Sequence, residues 1–181
     1  MKRTILSFAL MILAGGAFAQ NLTTTSATVS FDATTPIDAL PKADNKTLIA
    51  SLNKTTGALL FEAAVNNFAF SNPKIQEHFN GANWMNSASF PKFTFSGKIE
   101  KLSKVKFNKA GTYKVSAKGT LTVKGVSKEV TVPGTITVGA DGKVSAAGAF
   151  TIKLADYNIS GAPIDAGKVA KEPKITVSAS F

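Results

Sequence analysis

The feature that most constrains this chain is a strict alternation of apolar and polar residues between Gly111 and Val138. The stretch reads GTYKVSAKGTLTV, continues through a connection at KGVS, and resumes as KEVTVPGTITV. A period of two residues places successive side chains on opposite faces of a β-strand. The pattern therefore predicts one long antiparallel hairpin with an apolar face and a solvated face.

Small residues interrupt the apolar face of this hairpin at Ala117, Gly119 and Gly134. A Leu-sized gap in a packed core costs about 2–5 kcal/mol, so another element or a ligand must fill the space that these residues leave. Inward glycines also let a strand bend. A long one-sided sheet with small inward residues thus predicts a closed barrel around a cavity.

The N-terminus has the pattern of a secretory signal peptide. Lys2 and Arg3 precede an apolar run over residues 5–13, and Ala17-Phe18-Ala19 has the small-x-small form of a cleavage site. We therefore predict a signal peptide over residues 1–19, cleavage after Ala19, a periplasmic or secreted location, and one barrel domain over residues 20–181. The chain has no cysteine, so its stability must come from the fold itself.

The charge of the chain is strongly positive. Without the two basic residues of the predicted signal peptide, 19 basic residues remain against 11 acidic ones, a formal charge of +8. This excess indicates either attraction to anionic membrane surfaces and polyanions or simply a solvated barrel exterior. Nucleic-acid binding is not expected, because the one arginine lies in the signal peptide and no basic reading helix is visible.

Shorter patterns predict the rest of the barrel. A first strand over Ala27–Phe31 follows a polar lead, Asn21–Ser26, and the segment Pro36–Asn45, with two prolines and several polar residues, is predicted to be a loop. A second hairpin covers Thr47–Leu52 and Ala58–Val65. The segment from Asn72 to Gly81 predicts a two-turn helix, with Asn72 as N-cap, Pro73 at the first position and Gly81 in the left-handed C-terminal position. Further inward rows follow at residues 93–99, 144–154 and 175–181, which gives about eight strands and one helix.

Several segments resemble a known family. In chain order these are QEHFNG, WMNSASFPKFTFSGKI, GTYKVSAKGTLTVKGVSKEVTVPGTITV and FTIKLADYNI, which together cover most of the region from Phe68 to Ile159. They resemble the YceI-like family of secreted bacterial proteins. The resemblance implies an all-β fold, an antiparallel eight-stranded lipocalin-like barrel with one short helix near one end. It also implies an apolar tunnel that holds an isoprenoid or another extended lipid.

The sequence shows no catalytic constellation. A single histidine and no cysteine leave no Cys/His pair and no ordinary zinc site, and no serine lies in a G-x-S-x-G elbow. We therefore predict a binding protein and not an enzyme, without metal or cofactor. The resemblance implies that the bound molecule is a polyisoprenoid or quinone-like lipid. Thirteen phenylalanines against two tyrosines and one tryptophan suit a dry lipid tunnel, although plain core packing explains any single one of them.

The candidate site residues follow from these rows. The predicted lining is Phe61, Val65, Phe68, Phe70, Phe79, Trp84, Phe93, Phe95, Leu121, Val123, Phe150 and Ile152. The predicted polar residues at the mouth are His78, Asn83, Asp156 and Asn158, and the entrance is expected near the helix and the 83–89 loop.

The rival interpretation is a barrel scaffold that recognises a protein or polysaccharide through its loops or its basic outer face, at Lys114, Lys118 and Lys124. Transient contact with a membrane surface and a homodimer are compatible with either interpretation.

Overall fold

The structure is a computed structural model that describes residues 20–181. The predicted signal peptide lies outside the described residues. The two helices are α1 (Pro73–Asn80) and α2 (Ala162–Asp165), and single 3-10 turns cover Val65–Asn67, Leu102–Lys104 and Leu154–Tyr157. The strands are β1 (Asn21–Asp32), β2 (Lys42–Asn53), β3 (Ala58–Ala64), β4 (Ala69–Phe70), β5 (Lys92–Glu100), β6 (Gly111–Val123), β7 (Val126–Val138), β8 (Val144–Thr151) and β9 (Lys174–Ser180).

Eight of these strands close into a barrel. Their order is β1-β2-β3-β5-β6-β7-β8-β9, β9 pairs back to β1, and every pairing is antiparallel. The two residues of β4 pair only with the beginning of β2. The prediction of an antiparallel eight-stranded barrel with a short helix near one end is confirmed.

The central hairpin is β6 and β7, paired from Gly111 with Val138 to Val123 with Val126. Its turn has two residues, Lys124 and Gly125, with φ values of 49° and 74°. Positive φ at both positions is the type I′ geometry that matches the twist of the flanking strands. The connection is shorter than predicted because Val126 continues the strand instead of belonging to the turn.

β1 and β2 are longer than the sequence indicated. The polar lead is part of β1, where residues 21–24 pair with residues 50–53 of β2. The register shifts between Thr24 and Ala27, so a bulge breaks the alternation that would have identified the strand. β2 in turn begins at Lys42, inside a segment that its prolines and polar residues marked as a loop.

α1 has the predicted bounds and N-cap. The Asn72 side chain accepts a hydrogen bond from the Lys74 N–H at 2.9 Å, and Pro73 occupies the first turn. Gly81 does not adopt the predicted left-handed conformation: its φ is −64°, and its N–H donates to the carbonyls of Glu77 and His78. Buried Phe79 docks the helix on the barrel.

The two ends of the barrel differ. The helix end carries α1, α2 and the β6–β7 turn, and the far end carries the β2–β3 turn and the connection over residues 101–110. At the far end Val105 is buried, and Leu102 and Phe107 are half-buried against the core. This end is therefore filled by the protein's own side chains.

Candidate functional site

A cavity of about 160 Å³ runs from the middle of the barrel to the helix end. Among residues 20–181, no charged residue lines it, and Thr94 and Thr135 are the only hydroxyl-bearing residues in the lining. All other lining residues are apolar or glycine. A cavity of this kind favours an apolar molecule, because a polar group placed in it would lose its hydrogen bonds to water.

One row of residues across five adjacent strands lines the cavity. Register places Val29, Val177, Gly148, Gly134 and Val115 directly opposite one another in turn, and all five line the cavity. Directly opposed residues share one face of a sheet. The two glycines in the middle of the row leave the interior unfilled at this level, as the inward position of Gly134 predicted.

A second pair of inward glycines has a different role. Gly97 and Gly119 are direct partners on β5 and β6, and a Cβ at Gly97 would lie 2.8 Å from the Gly119 Cα and 2.7 Å from the Phe95 ring. Neither glycine lines the cavity. These glycines let β5 and β6 approach each other closely, and the Phe95 ring covers the place where they meet. The small inward residue Gly119 therefore does not leave space for a ligand.

Aromatic side chains close the helix end. The Phe79 ring of α1 lies with its centroid 4.9 Å from Phe70, 5.7 Å from Phe68 and 6.2 Å from Phe31. The segment after α1 packs with it, since Met85 is buried and its N–H donates to the Phe79 carbonyl at 3.0 Å. The predicted entrance near the helix and the 83–89 loop is therefore closed by a hydrogen-bonded, packed segment.

The model of the YceI-like domain matches residues 14–181. The chain belongs to the YceI-like family. This confirms the resemblance, and the family match extends well beyond the segments that first indicated it. No curated protein matches the chain.

Solved structures share the fold of this YceI-like chain. BcnA of Burkholderia cenocepacia is 21% identical, with a TM-score of 0.71 over 86% of this chain and 96% of that one. A polyisoprenoid-binding domain of Saccharophagus degradans is 11% identical, with a TM-score of 0.74 over 89% and 97%. The Campylobacter jejuni YceI protein is 17% identical, with a TM-score of 0.54 over 100% and 91%. At these sequence identities, the structural similarity establishes only the barrel fold.

Most of the predicted lining residues of the YceI-like barrel do face the cavity, and three do not. Val65 is fully buried in the 3-10 turn after β3, Phe70 packs on the Phe79 ring, and Trp84 is half-buried near Gly161. These three belong to the packing that closes the helix end. The nine that line the cavity are Phe61, Phe68, Phe79, Phe93, Phe95, Leu121, Val123, Phe150 and Ile152.

The predicted polar residues do not converge on the cavity. His78, Asn83, Asp156 and Asn158 are all exposed at the helix end, on separate segments, and none of them lines the cavity. Within residues 20–181 their side chains make no hydrogen bond to other protein groups. Sequence reasoning also left out lining residues such as Val115, Val132, Ile175 and Val177, although the same alternation placed each of them on an inward row.

Titratable groups lie outside the cavity. Burial raises the pKa of the Tyr157 phenol at the helix end, and the Asp156 carboxylate raises it further, so this phenol is neutral near pH 7. Over residues 20–181 no group of three or more His, Cys, Asp or Glu side chains is placed to hold a metal ion. No helix in this region has the length and apolar character needed to cross a membrane.

Proposed function

We propose that this YceI-like protein holds an isoprenoid or another extended apolar lipid in its barrel. The observation that carries the proposal is the cavity, which the described part of the chain lines with no charged residue and with two hydroxyl groups. Such a lining selects a ligand by shape and apolar area and makes few polar contacts. Binding of polyisoprenoid by the Saccharophagus degradans domain, which has the same fold, supports the same ligand class.

The size of the cavity limits how much of such a ligand it encloses. An engineered apolar cavity of about 150 Å³ holds one benzene molecule, so about 160 Å³ corresponds to roughly one isoprene unit. At about 0.8 kcal/mol for each buried carbon, five carbons contribute only about 4 kcal/mol before ordering costs. An extended ligand must therefore also contact apolar side chains beyond the enclosed volume.

We further propose that binding involves no reaction and takes place in the periplasm or outside the cell. The absence of any charged or imidazole group from the lining supports a carrier or scavenger, and the predicted signal peptide supports the location. Transient contact with an anionic membrane surface and a homodimer stay predictions. The far end would favour contact with a membrane surface, because residues 101–109 carry four lysines and no acidic residue. These lysines are Lys101, Lys104, Lys106 and Lys109.

Titration with all-trans-retinol, a fluorescent twenty-carbon isoprenoid, tests the proposal. We expect saturable enhancement of retinol fluorescence at micromolar concentration, and stabilisation of the fold by about 2.7 kcal/mol at a hundredfold excess over the Kd. Thermal unfolding with and without retinol measures the second effect. Unchanged fluorescence together with an unchanged melting temperature would contradict the proposed function.

A further inference from the structure

The wall of the barrel is interrupted between β7 and β8. Their pairing runs from Val138 with Val144 to Gly134 with Gly148 and then stops. Continued in the same register, Pro133, Val132 and Thr131 of β7 would oppose residues 149–151 of β8, yet no pair forms there. We call this gap, between residues 131–133 and residues 149–151, the seam.

Pro133 accounts for the position of the seam. Val123 and Val126 flank a two-residue turn and so form a hydrogen-bonded pair. Counted from Val126, the even-numbered residues of β7 direct their backbone groups to β6 and the odd-numbered ones direct theirs to β8. Proline has no N–H, so Pro133 cannot donate to β8 at the first position beyond the last pair.

The cavity reaches the seam. Val132 and Phe150, which would face each other across it, are both half-buried and both line the cavity, as do Thr135 and Ala147 in the pair next to the break. The 3-10 turn at residues 154–157 contacts β7. Separating the two strands here breaks side-chain contacts but no ladder hydrogen bonds, so the seam opens more easily than a paired part of the wall.

A lysine lies on the cavity side of β7, three residues before the seam. Lys128 is the direct partner of Leu121, which lines the cavity, so the two side chains share one face of the hairpin. Lys128 is exposed, and no described carboxylate lies within 4.0 Å of its ammonium group. Its neighbour Glu129 is 3.0 Å from Lys118.

The 3-10 turn that contacts β7 does not neutralise this lysine either. It carries exposed Asp156, which forms no ion pair among residues 20–181, and the preceding Lys153 lies 3.9 Å from Glu172. Lys128 is therefore a cation without an ion-pair partner among residues 20–181, on the cavity-facing side of β7. An ionised head group cannot enter the cavity, because burying a charge without a partner is very costly.

We propose that the lipid chain leaves the cavity through the seam and that Lys128 binds an anionic head group, such as a phosphate, outside the barrel. This inference rests on the proposed function and specifies the ligand further, as an amphiphile. Half-buried Val130, which does not line the cavity, and the solvent-exposed parts of Val132 and Phe150 supply apolar contacts beyond the enclosed volume.

Displacement of retinol by farnesol and by farnesyl phosphate tests the head-group contact. We expect Lys128→Met to weaken farnesyl phosphate by about fivefold, the effect of one exposed ion pair, and to leave farnesol unchanged. Lys114→Met, on the outward face of β6, should change neither ligand. Inorganic phosphate should not displace retinol, because it lacks the chain.

The outcomes separate the two proposals. Equal affinity of wild type and Lys128→Met for farnesyl phosphate would overturn the head-group contact while farnesol binding still supported the carrier. Displacement by inorganic phosphate would overturn it as well, by showing an anion site independent of lipid. Failure of wild type to bind either prenyl ligand or retinol would instead remove the proposed function itself.

A chemical tether tests the route of the lipid through the seam. Because the sequence has no cysteine, only the two introduced cysteines can react. A short bismaleimide joining Thr131→Cys to Thr151→Cys spans the seam, and one joining Thr137→Cys to Ser145→Cys spans a paired part of the same two strands. We expect the seam tether to slow retinol association by about tenfold or more, because entry then requires opening elsewhere. Equal association rates for the two tethered proteins would overturn the route through the seam.

Discussion

Val115→Trp is expected to lower the affinity for retinol about a hundredfold and to leave the fold intact. Val115 lies opposite Gly134, in the row whose two glycines leave the interior open. An indole at this position fills that space and displaces about four ligand carbons, each contributing about 0.8 kcal/mol. Retinol fluorescence, excited directly, measures the affinity.

The matched control is Ser116→Trp, which places the same ring one residue later on the opposite face of β6. It should bind retinol as the wild type does. Circular dichroism and thermal unfolding of both variants show whether the barrel persists. Wild-type affinity in a folded Val115→Trp protein would mean that the ligand does not occupy the space over Gly134 and Gly148.

Gly119→Val is expected to destabilise the barrel by about 3 kcal/mol or more, a large part of the stability of an ordinary domain. Its Cβ would lie 2.5 Å from the Gly97 Cα and in contact with the Ser96 carbonyl oxygen. Both are backbone atoms of the paired strand, so relief requires β5 and β6 to separate. Urea unfolding measures the loss.

Thr120→Val is the control, since it places valine at the next, exposed position of the same strand. Its free energy of unfolding should stay within about 0.5 kcal/mol of the wild type. If Gly119→Val were as stable as this control, the close approach of Gly97 and Gly119 would not be a requirement of the fold.

Local sequence patterns were sufficient to predict the elements whose own residues indicate their structure. The alternation from Gly111 to Val138 predicted the β6–β7 hairpin, because period two and a long one-sided apolar face leave no other regular structure. The cap at Asn72 and the proline after it predicted α1, because both residue types favour the start of a helix. These signals depend on neighbours in the sequence and not on the rest of the fold.

Features set by distant strands could not be read in this way. Asn45 is fully buried, with its Nδ2 donating to the Ala64 carbonyl at 2.9 Å and its Oδ1 accepting from the Thr47 N–H at 2.9 Å. The sequence placed it in a loop because its partner lies 19 residues away. The seam is similar: Pro133 is visible in the sequence, but its effect depends on which neighbour its missing N–H would face.

The cavity illustrates the same limit. Small inward residues predicted open space, yet the structure separates Gly134 and Gly148, which line the cavity, from Gly97 and Gly119, which allow close strand packing. Whether an inward glycine leaves open space or allows close strand packing depends on the residue opposite it and on the reach of the Phe95 ring. Phe70 and Trp84 were likewise predicted to line the cavity, and their positions in the packing that closes the helix end follow from tertiary contacts.

The most direct test of lipid binding is to purify the protein natively from the periplasmic or extracellular fraction in which we propose it resides, extract it with organic solvent and analyse the extract by mass spectrometry. The account predicts a prenyl or similar long-chain lipid at close to one molecule per barrel, reduced sharply in Val115→Trp purified in parallel. An extract without lipid, from a protein that retinol and farnesol also fail to stabilise, would contradict it.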